Sequence, residues 1–125
     1  MQKLTMIVAL VAVVAALPAV AQAKRPEVLR AGSCSNGADW KLKAKNEDGG
    51  RLEVEFEVDQ NVNGRRWTVT ITRDGVRVFR GVRTTRPPSG SFSVNRRPAN
   101  PSGSDRIVAV ARTASGATCR GALTV

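Results

Sequence analysis

The sequence contains no histidine and no tyrosine, and its aromatic side chains are two tryptophans and three phenylalanines. Without histidine the chain lacks the usual acid–base residue of enzymes and the commonest metal ligand of proteins. This absence excludes Ser-His-Asp and Cys-His catalytic arrangements and zinc sites that need histidine. The few aromatic residues also argue against nucleic acid as a partner, because single-strand binders interleave basic residues with stacking rings.

Carboxylates are the remaining candidates for catalysis, and three of them share one predicted strand face. Glu53, Glu55 and Glu57 lie about 7 Å apart at successive positions by the rise of a strand, a separation that a glycosidase pair could have. Each of them faces a lysine across a predicted hairpin, which indicates structural ion pairs. No nucleophile elbow, phosphate-binding loop or cofactor fingerprint is present. The sequence therefore predicts a protein that is not an enzyme.

The first 23 residues have the pattern of a secretory signal peptide. Lys3 supplies the positive charge, residues 6–17 form an uninterrupted apolar run, and Pro18 ends it. We expect cleavage after Ala23, with cleavage after Ala21 as the alternative. An uncleaved membrane anchor is the rival interpretation, but the run is shorter than the roughly 20 residues that a spanning helix needs. The sequence predicts an extracellular or envelope-associated protein with no transmembrane segment after cleavage.

Only two cysteines, Cys34 and Cys119, are present. In an exported protein an even pair predicts a disulfide, which here would tie the start of the domain to its last segment. On a chain-entropy argument, closing so long a loop stabilises the fold by about 4–5 kcal/mol. A reactive or metal-binding thiol pair is the weaker alternative, because the chain has no C-x-x-C motif.

Strands are indicated by a period of two in the apolar residues. Residues 40–45 and 51–58 alternate apolar and charged side chains, and the segment NEDGG between them has turn chemistry. As a hairpin, they place outward Lys41, Lys43 and Lys45 opposite outward Glu53, Glu55 and Glu57. The apolar side chains of both strands then share the inner face.

Five further strands are predicted at residues 67–72, 76–82, 91–94, 106–113 and 118–125. Asp74-Gly75 and Ser115-Gly116 indicate tight hairpins. The register of 76–82 stays open, because Val78 and Phe79 cannot both point inward without a bulge.

These seven short strands, with frequent turns and no helical period, predict an all-β fold. The expected architecture is a single seven-stranded antiparallel β-sandwich of the immunoglobulin-like or fibronectin III-like type. The domain would span residues 34–125, after the signal peptide at 1–23 and an N-terminal extension at 24–33. Because Trp40 follows Cys34 so closely, the cysteine–tryptophan signature of true immunoglobulin domains is not met.

A resemblance to a known group rests on most of the mature chain. The run WKLKAKNEDGGRLEVEFEVDQNVNGRRWTVTITRDG, the later segment RTTRPPSGSF and the cysteine of the last strand resemble small secreted proteins of high-GC Gram-positive bacteria. That group has no assigned activity. The resemblance therefore implies export, a β-sandwich and a disulfide, and it implies no catalytic residue.

The segment DQNVNG, residues 59–64, fits the first half of an EF-hand calcium loop, with Asp59, Asn61 and Asn63 as ligands. The second half does not fit, because Thr70 stands at the position of the bidentate glutamate and two arginines follow Gly64. A polar turn with local hydrogen bonds and a positive φ at Gly64 is the favoured interpretation. Calcium stays as the weaker alternative, and no other cofactor is predicted.

The formal net charge of +10 is unevenly distributed along the chain. Residues 24–59 hold seven basic and eight acidic side chains, whereas residues 60–125 hold twelve arginines, no lysine and two aspartates. Arginine suits phosphate and carboxylate groups because its planar fork bonds them in pairs. The candidate anion-binding residues are Arg65, Arg66, Arg73, Arg77, Arg83, Arg86, Arg96 and Arg97. A solvated surface that reflects composition alone is the competing interpretation.

Three functions are compatible with these features. The first is a secreted, non-catalytic module that binds an anionic envelope polymer or an extracellular protein through the arginine-rich second half. The second is a protein-ligand or protease-inhibitor-like module that presents the loops 84–90 and 95–105. The third is a structural envelope protein with no single ligand. The charge and the expected compartment favour the first function.

Overall fold

Two antiparallel sheets build the protein in the computed structural model, which describes residues 2, 9–16, 27–99 and 103–125. The eight strands are β1 (Glu27–Ser33), β2 (Asp39–Glu47), β3 (Arg51–Asp59), β4 (Arg66–Arg73), β5 (Val76–Thr84), β6 (Ser91–Arg96), β7 (Arg106–Arg112) and β8 (Thr118–Thr124). The first sheet has the order β1-β2-β3-β6, and the second has the order β5-β4-β7-β8. The prediction of an all-β antiparallel sandwich is confirmed; the predicted signal peptide lies mostly outside the described residues.

The prediction of seven strands is wrong, because the segment assigned as an N-terminal extension contains β1. Its sequence EVLRAGS has little alternation: Val28 is half-buried, and Leu29 on the other face is 53 % exposed. β1 depends instead on backbone pairing with β2, in a register that begins with Glu27 opposite Lys45. An edge strand held by backbone pairing has only a weak side-chain pattern, so the sequence gives little sign of it.

The core lies between the sheets and is built from alternate residues of neighbouring strands. Its largest fully buried side chains are Leu42, Leu52, Val54, Phe56, Val58, Trp67, Val69, Ile71, Val94 and Ile107. The intervening residues of β2 and β3 face solvent, and Lys43 lies opposite Glu55 in the ladder. The predicted hairpin and its charge register are therefore confirmed.

The β4–β5 hairpin settles the register that the sequence left open. Asp74 and Gly75 both have positive φ, 50° and 81°, as a tight two-residue turn requires. The pairing then shifts between Ile71, which lies opposite Phe79, and the next residue of β4, which lies opposite Arg77. Val78 is the extra residue of this bulge. Both Val78 and Phe79 consequently pack against the core.

A disulfide joins Cys34 to Cys119, as predicted, over a sequence separation of 85. Both cysteines are buried. Cys34 follows β1 and precedes β2, so the bridge ties the connection between these strands to β8 rather than the start of the domain. Beside it, the backbone N–H of Ser35 donates to Thr118 O (2.9 Å), and the N–H of Thr118 donates to Ser35 Oγ (2.8 Å).

Each open side of the sandwich carries one aromatic ring that lies over glycine. Between β1 and β8, a methyl group at Gly32 would lie 2.8 Å from Trp40 Cζ2, and one at Gly121 would lie 2.5 Å from Trp40 Cζ3. Between β5 and β6, a methyl group at Gly81 would lie 2.8 Å from Phe79 Cζ. These glycines leave room for the rings that close the two sides of the core.

Candidate anion-binding surface

The outward face of the second sheet carries six arginines, which we call the arginine face: Arg66, Arg77, Arg80, Arg106, Arg112 and Arg120. Their common orientation follows from the strand register, since residues opposite one another point to the same side. Thr70 lies opposite both Arg80 and Val110, and Val110 lies opposite Arg120, so one row crosses all four strands. All six arginines are exposed.

Small side chains form the floor between these arginines. Thr68, Thr70 and Thr72 run along β4, and Val108 and Val110 lie beside them on β7. The outward positions of the four strands hold no aspartate or glutamate. The surface is therefore a shallow platform with hydroxyl and methyl groups in the middle and guanidinium groups around them.

The two aspartates of the second half do not neutralise this platform. Asp105 is buried, and its Oδ1 lies 3.9 Å from Arg73 Nε, which is not an outward arginine. Asp74 lies at the tip of the β4–β5 hairpin, where its Oδ1 accepts a hydrogen bond from the backbone N–H of Arg106 (2.8 Å). Among the residues that the structure describes, no carboxylate lies within ion-pair distance of an arginine of this face.

The outward face of the first sheet has the opposite character. Lys43 Nζ lies 3.3 Å from Glu55 Oε2, and Lys45 Nζ lies 3.4 Å from Glu53 Oε2. The hydrogen bond and the charge of Glu55 raise the pKa of Lys43 above its usual value. This face is ion-paired and holds more carboxylates than cations, so it contributes none of the excess positive charge of the molecule.

The arginines predicted from sequence do not form one site. Arg66 and Arg77 belong to the arginine face, whereas Arg73 points towards Asp105. Arg97 Nη2 lies 3.7 Å from Glu47 Oε1. The others are Arg65, in the loop before β4, and Arg83, Arg86 and Arg96, which lie on the side where β5 and β6 meet.

Sequence reasoning missed four residues of the arginine face: Arg80, Arg106, Arg112 and Arg120. Their position within a strand is the signal that could have found them. Arg106 and Arg112 are the immediate chain neighbours of the buried Ile107 and Ala111, so both must point away from the core. Counting arginines along the chain hides this alternation.

The segment DQNVNG forms a structural corner between β3 and β4. The backbone N–H of Asn61 donates to Asp59 Oδ1 (3.2 Å), and Gly64 has a φ of 79°, so the predicted polar turn is confirmed. Thr85 Oγ1 donates to Val62 O (2.6 Å) and closes the segment against the loop after β5. Across the described residues, no group of three or more Asp, Glu, His or Cys is placed to hold a metal ion.

No protein-family model, curated protein or solved structure matches this chain. A role for the arginine face therefore has to be argued from its own geometry and charge. None of the described residues forms a helix long and apolar enough to cross a membrane.

Proposed function

We propose that the protein is a secreted, non-catalytic β-sandwich module that binds an anionic polymer of the cell envelope. The observation that carries the proposal is the arginine face. Six exposed guanidinium groups share one side of one sheet, and no carboxylate shares the outward positions of its strands. A guanidinium group can donate two parallel hydrogen bonds to two oxygens of one phosphate or carboxylate group. Such a surface therefore suits a polymer that carries an anionic group on each repeat.

The shape of the face favours a polymer over a small molecule. From strand spacing and rise, the platform measures roughly 15 Å by 20 Å. Its arginines surround a floor of Thr68, Thr70 and Thr72 rather than converging on one point. A chain with an anionic group on each repeat can contact several arginines at once, and its hydroxyl groups can bond to the threonines. Because the contacts are linked along one polymer chain, their combined affinity exceeds that of any single contact.

Export is the part of the proposal that places the protein beside such a polymer. It is supported by the signal-like residues 1–23 and by the disulfide, since disulfides persist in oxidising compartments outside the cytosol. Mass spectrometry of the protein recovered from culture medium and from envelopes would test it. A mature chain that starts at Lys24 is expected, and recovery of the full chain from the cytosol alone would contradict export.

We also propose that the sandwich is of the immunoglobulin-like or fibronectin III-like type. The support is its connectivity: the chain leaves the second sheet after β5, contributes β6 to the first sheet, and returns for β7 and β8. Such sheet-switching connections are typical of these folds. An experimental structure with a different strand order would contradict this assignment.

Co-sedimentation with isolated cell envelopes tests the binding proposal. We expect the mature protein to be retained at about 0.05 M salt and released at about 1 M salt, because the Debye length falls to about 3 Å. The double variant Arg112→Gln/Arg120→Gln should bind roughly a hundredfold more weakly than the parent, since two charge-assisted contacts are lost and each accounts for about tenfold.

The matched control is Arg30→Gln/Lys41→Gln, which removes the same charge from β1 and β2 at two exposed positions. It should be retained like the parent protein. Equal loss in both variants would show that net charge alone drives retention. A parent protein that does not sediment with envelopes at low salt would refute the polymer assignment. Anionic lipid vesicles and DNA serve as competitors, and release by either identifies a different polyanion.

A further inference from the structure

A cleft at the β5 edge of the arginine face opens where β5 and β6 meet, and its Thr84 lies opposite Arg66 of that face. Both are edge strands, β5 of the second sheet and β6 of the first, and they lie on the same side of the sandwich. A cavity of about 440 Å³ lies between them. Its polar lining residues are Arg83, Thr84, Arg86, Ser91 and Ser93. The hydroxyl group of Ser91 also lies 2.8 Å from Ser89 Oγ.

Every polar side chain of this lining can donate a hydrogen bond. Two are guanidinium groups with several N–H donors each, and three are hydroxyl groups. No aspartate or glutamate lines the cavity, and neither Arg83 nor Arg86 pairs with a carboxylate among the described residues. The neighbouring strand β3 places Glu57 opposite Ser93 and Asp59 opposite Ser91 on the outward face of the first sheet. The cleft thus concentrates donors and positive charge in one place.

Arg83 is held in position before any ligand binds. Its guanidinium carbon lies 4.8 Å from the centre of the Phe79 ring, and its Nη1 donates to the carbonyl of Val82 (3.0 Å). Arg96 stacks on the same ring at 4.2 Å. Two guanidinium groups are therefore fixed on one ring despite their like charge. A fixed arginine loses less freedom when it binds an anion, and a nearby anion relieves the repulsion.

The backbone of β6 adds a further donor beside the cleft. Ser91 and Arg86 exchange both backbone hydrogen bonds, with N···O distances of 3.0 and 3.2 Å. The backbone groups of Ser91 thus point away from β3. The backbone groups of successive residues point to opposite sides of an antiparallel strand, so residues two apart point to the same side. The N–H of Ser93 therefore points to the open edge as well.

We propose that this cleft binds one phosphoryl group, as a free phosphate or as a phosphate monoester. The proposal does not depend on the arginine face. A phosphoryl group presents three terminal oxygens and up to two negative charges, which matches two guanidinium forks and three hydroxyl groups. A carboxylate offers two oxygens and one charge, so it leaves most of these donors unused. The cavity admits a compact group and its first sugar or glycerol unit rather than a folded partner.

Nuclear magnetic resonance titration of the ¹⁵N-labelled mature protein tests the cleft. The probes are inorganic phosphate, glycerol 3-phosphate and sodium acetate, at constant ionic strength. We expect saturable shifts at the amides of Arg86, Ser91 and Ser93 with both phosphates, and weaker, non-saturating shifts with acetate. Tighter binding of glycerol 3-phosphate would identify a monoester, and tighter binding of inorganic phosphate would identify the free ion as the natural ligand.

Arg86→Gln is the first variant, because Arg86 is exposed in a loop and its loss should leave the fold intact. Phosphate affinity should fall roughly tenfold, as for a lost charge-assisted contact. Phe79→Leu keeps both charges but removes the stacking surface, so affinity should fall by about two- to fivefold. Arg112→Gln, on the arginine face, should leave the titration unchanged.

Three results would overturn the phosphoryl site. They are equal shifts with phosphate and acetate, shifts spread over the arginine face instead of the cleft, and unchanged phosphate affinity in Arg86→Gln. Arg112 and Arg120 do not line the cleft. Envelope retention can therefore fail while phosphate binding persists, and the reverse can also occur.

Discussion

The hydroxyl group of Thr85 joins two segments that are far apart in the chain. It donates to Val62 O (2.6 Å) and accepts from the backbone N–H of Arg65 (2.9 Å), across separations of 23 and 20 residues. The residue is buried, at 2 % exposure. The hydroxyl group is thus shielded from water, whereas Val62 and Arg65 are exposed residues and the two bonds are part-buried. Losing such a partner leaves a partly buried backbone group unsatisfied, which is costly.

Replacing Thr85 by valine should lower the free energy of unfolding by about 2 kcal/mol, since two backbone groups lose a buried partner. Thr85→Ser keeps the hydroxyl group and is the matched control, with a smaller loss from the missing methyl group. Urea unfolding followed by tryptophan fluorescence measures both. Equal destabilisation in the two variants would show that the methyl group, not the hydroxyl group, carries the effect.

Glu47 and Glu53 form a carboxyl pair at the end of the β2–β3 hairpin. Their mutual hydrogen bond raises the pKa of Glu47 and lowers the pKa of Glu53. The contribution of Glu47 to stability is therefore present below its unfolded pKa and lost as pH rises through its folded pKa. The contribution of Glu53 is present above its unfolded pKa and lost as pH falls through its folded pKa. The two effects oppose each other.

Carboxyl-carbon titration by nuclear magnetic resonance should show Glu53 ionising before Glu47 as pH rises. In Glu47→Ala the pKa of Glu53 should move up towards its ordinary value, because the donor is lost. Glu47→Gln retains an N–H donor, so the pKa of Glu53 should stay low. If Glu53 titrates identically in the alanine and glutamine variants, the hydrogen bond is not the cause.

At the scale of single strands, Trp40 shows how an aromatic residue closes the side of a sandwich. Its ring lies between Gly32 of β1 and Gly121 of β8. Alanine in place of a strand glycine ordinarily adds about 0.5–1 kcal/mol of stability. Here the added methyl group would meet the ring at a distance that no packed side chain tolerates.

Gly121→Ala should therefore lower the free energy of unfolding by about 1–3 kcal/mol, the usual cost of overpacking. The same change in a Trp40→Leu background should cost much less, because the clashing ring is gone. Chemical unfolding of the four proteins of this cycle gives the coupling energy. Additive effects would mean that the tryptophan ring does not occupy the space over Gly121.

The sequence predicted seven of the eight strands because each has either period-two alternation or a flanking turn signal. Residues 40–58 are the strongest case, since both strands and their charge register follow from the pattern. β1 was missed because it is held mainly by backbone hydrogen bonds to β2. Backbone pairing does not require a particular pattern of apolar and polar side chains. The contacts of Gly32 and Gly121 also could not be predicted, since they depend on which strands meet across the open side.

At the scale of the whole molecule, charge is separated between the two sheets. The sequence predicted an arginine excess after residue 60 but not its location. Two sheet-switching connections divide these arginines among a face, a cleft, a loop and two ion pairs, one with the buried Asp105 and one with Glu47. Which arginines share a surface depends on the order of strands in space, and this order follows from long-range packing. The cleft between β5 and β6 was hidden for the same reason.

The disulfide is the main covalent constraint on the whole fold. Reduction should lower the melting temperature, and Cys34→Ala/Cys119→Ala should lower the free energy of unfolding by about 4–5 kcal/mol on a chain-entropy argument. Calorimetry with and without reductant measures the effect. The double variant is the control, because reductant should leave its melting temperature unchanged. A native protein insensitive to reductant would contradict a stabilising role for the bridge.

The bridge between Cys34 and Cys119 turns the intervening chain into a covalent ring that contains β2 to β7. A protease that cuts once anywhere within this ring, including either proline-rich loop, leaves both fragments attached to each other. The cut protein keeps its full mass and can keep its pairing, because the free ends remain tethered near their partners. Outside the cell, a protease can therefore cleave such a domain once without separating it into two fragments.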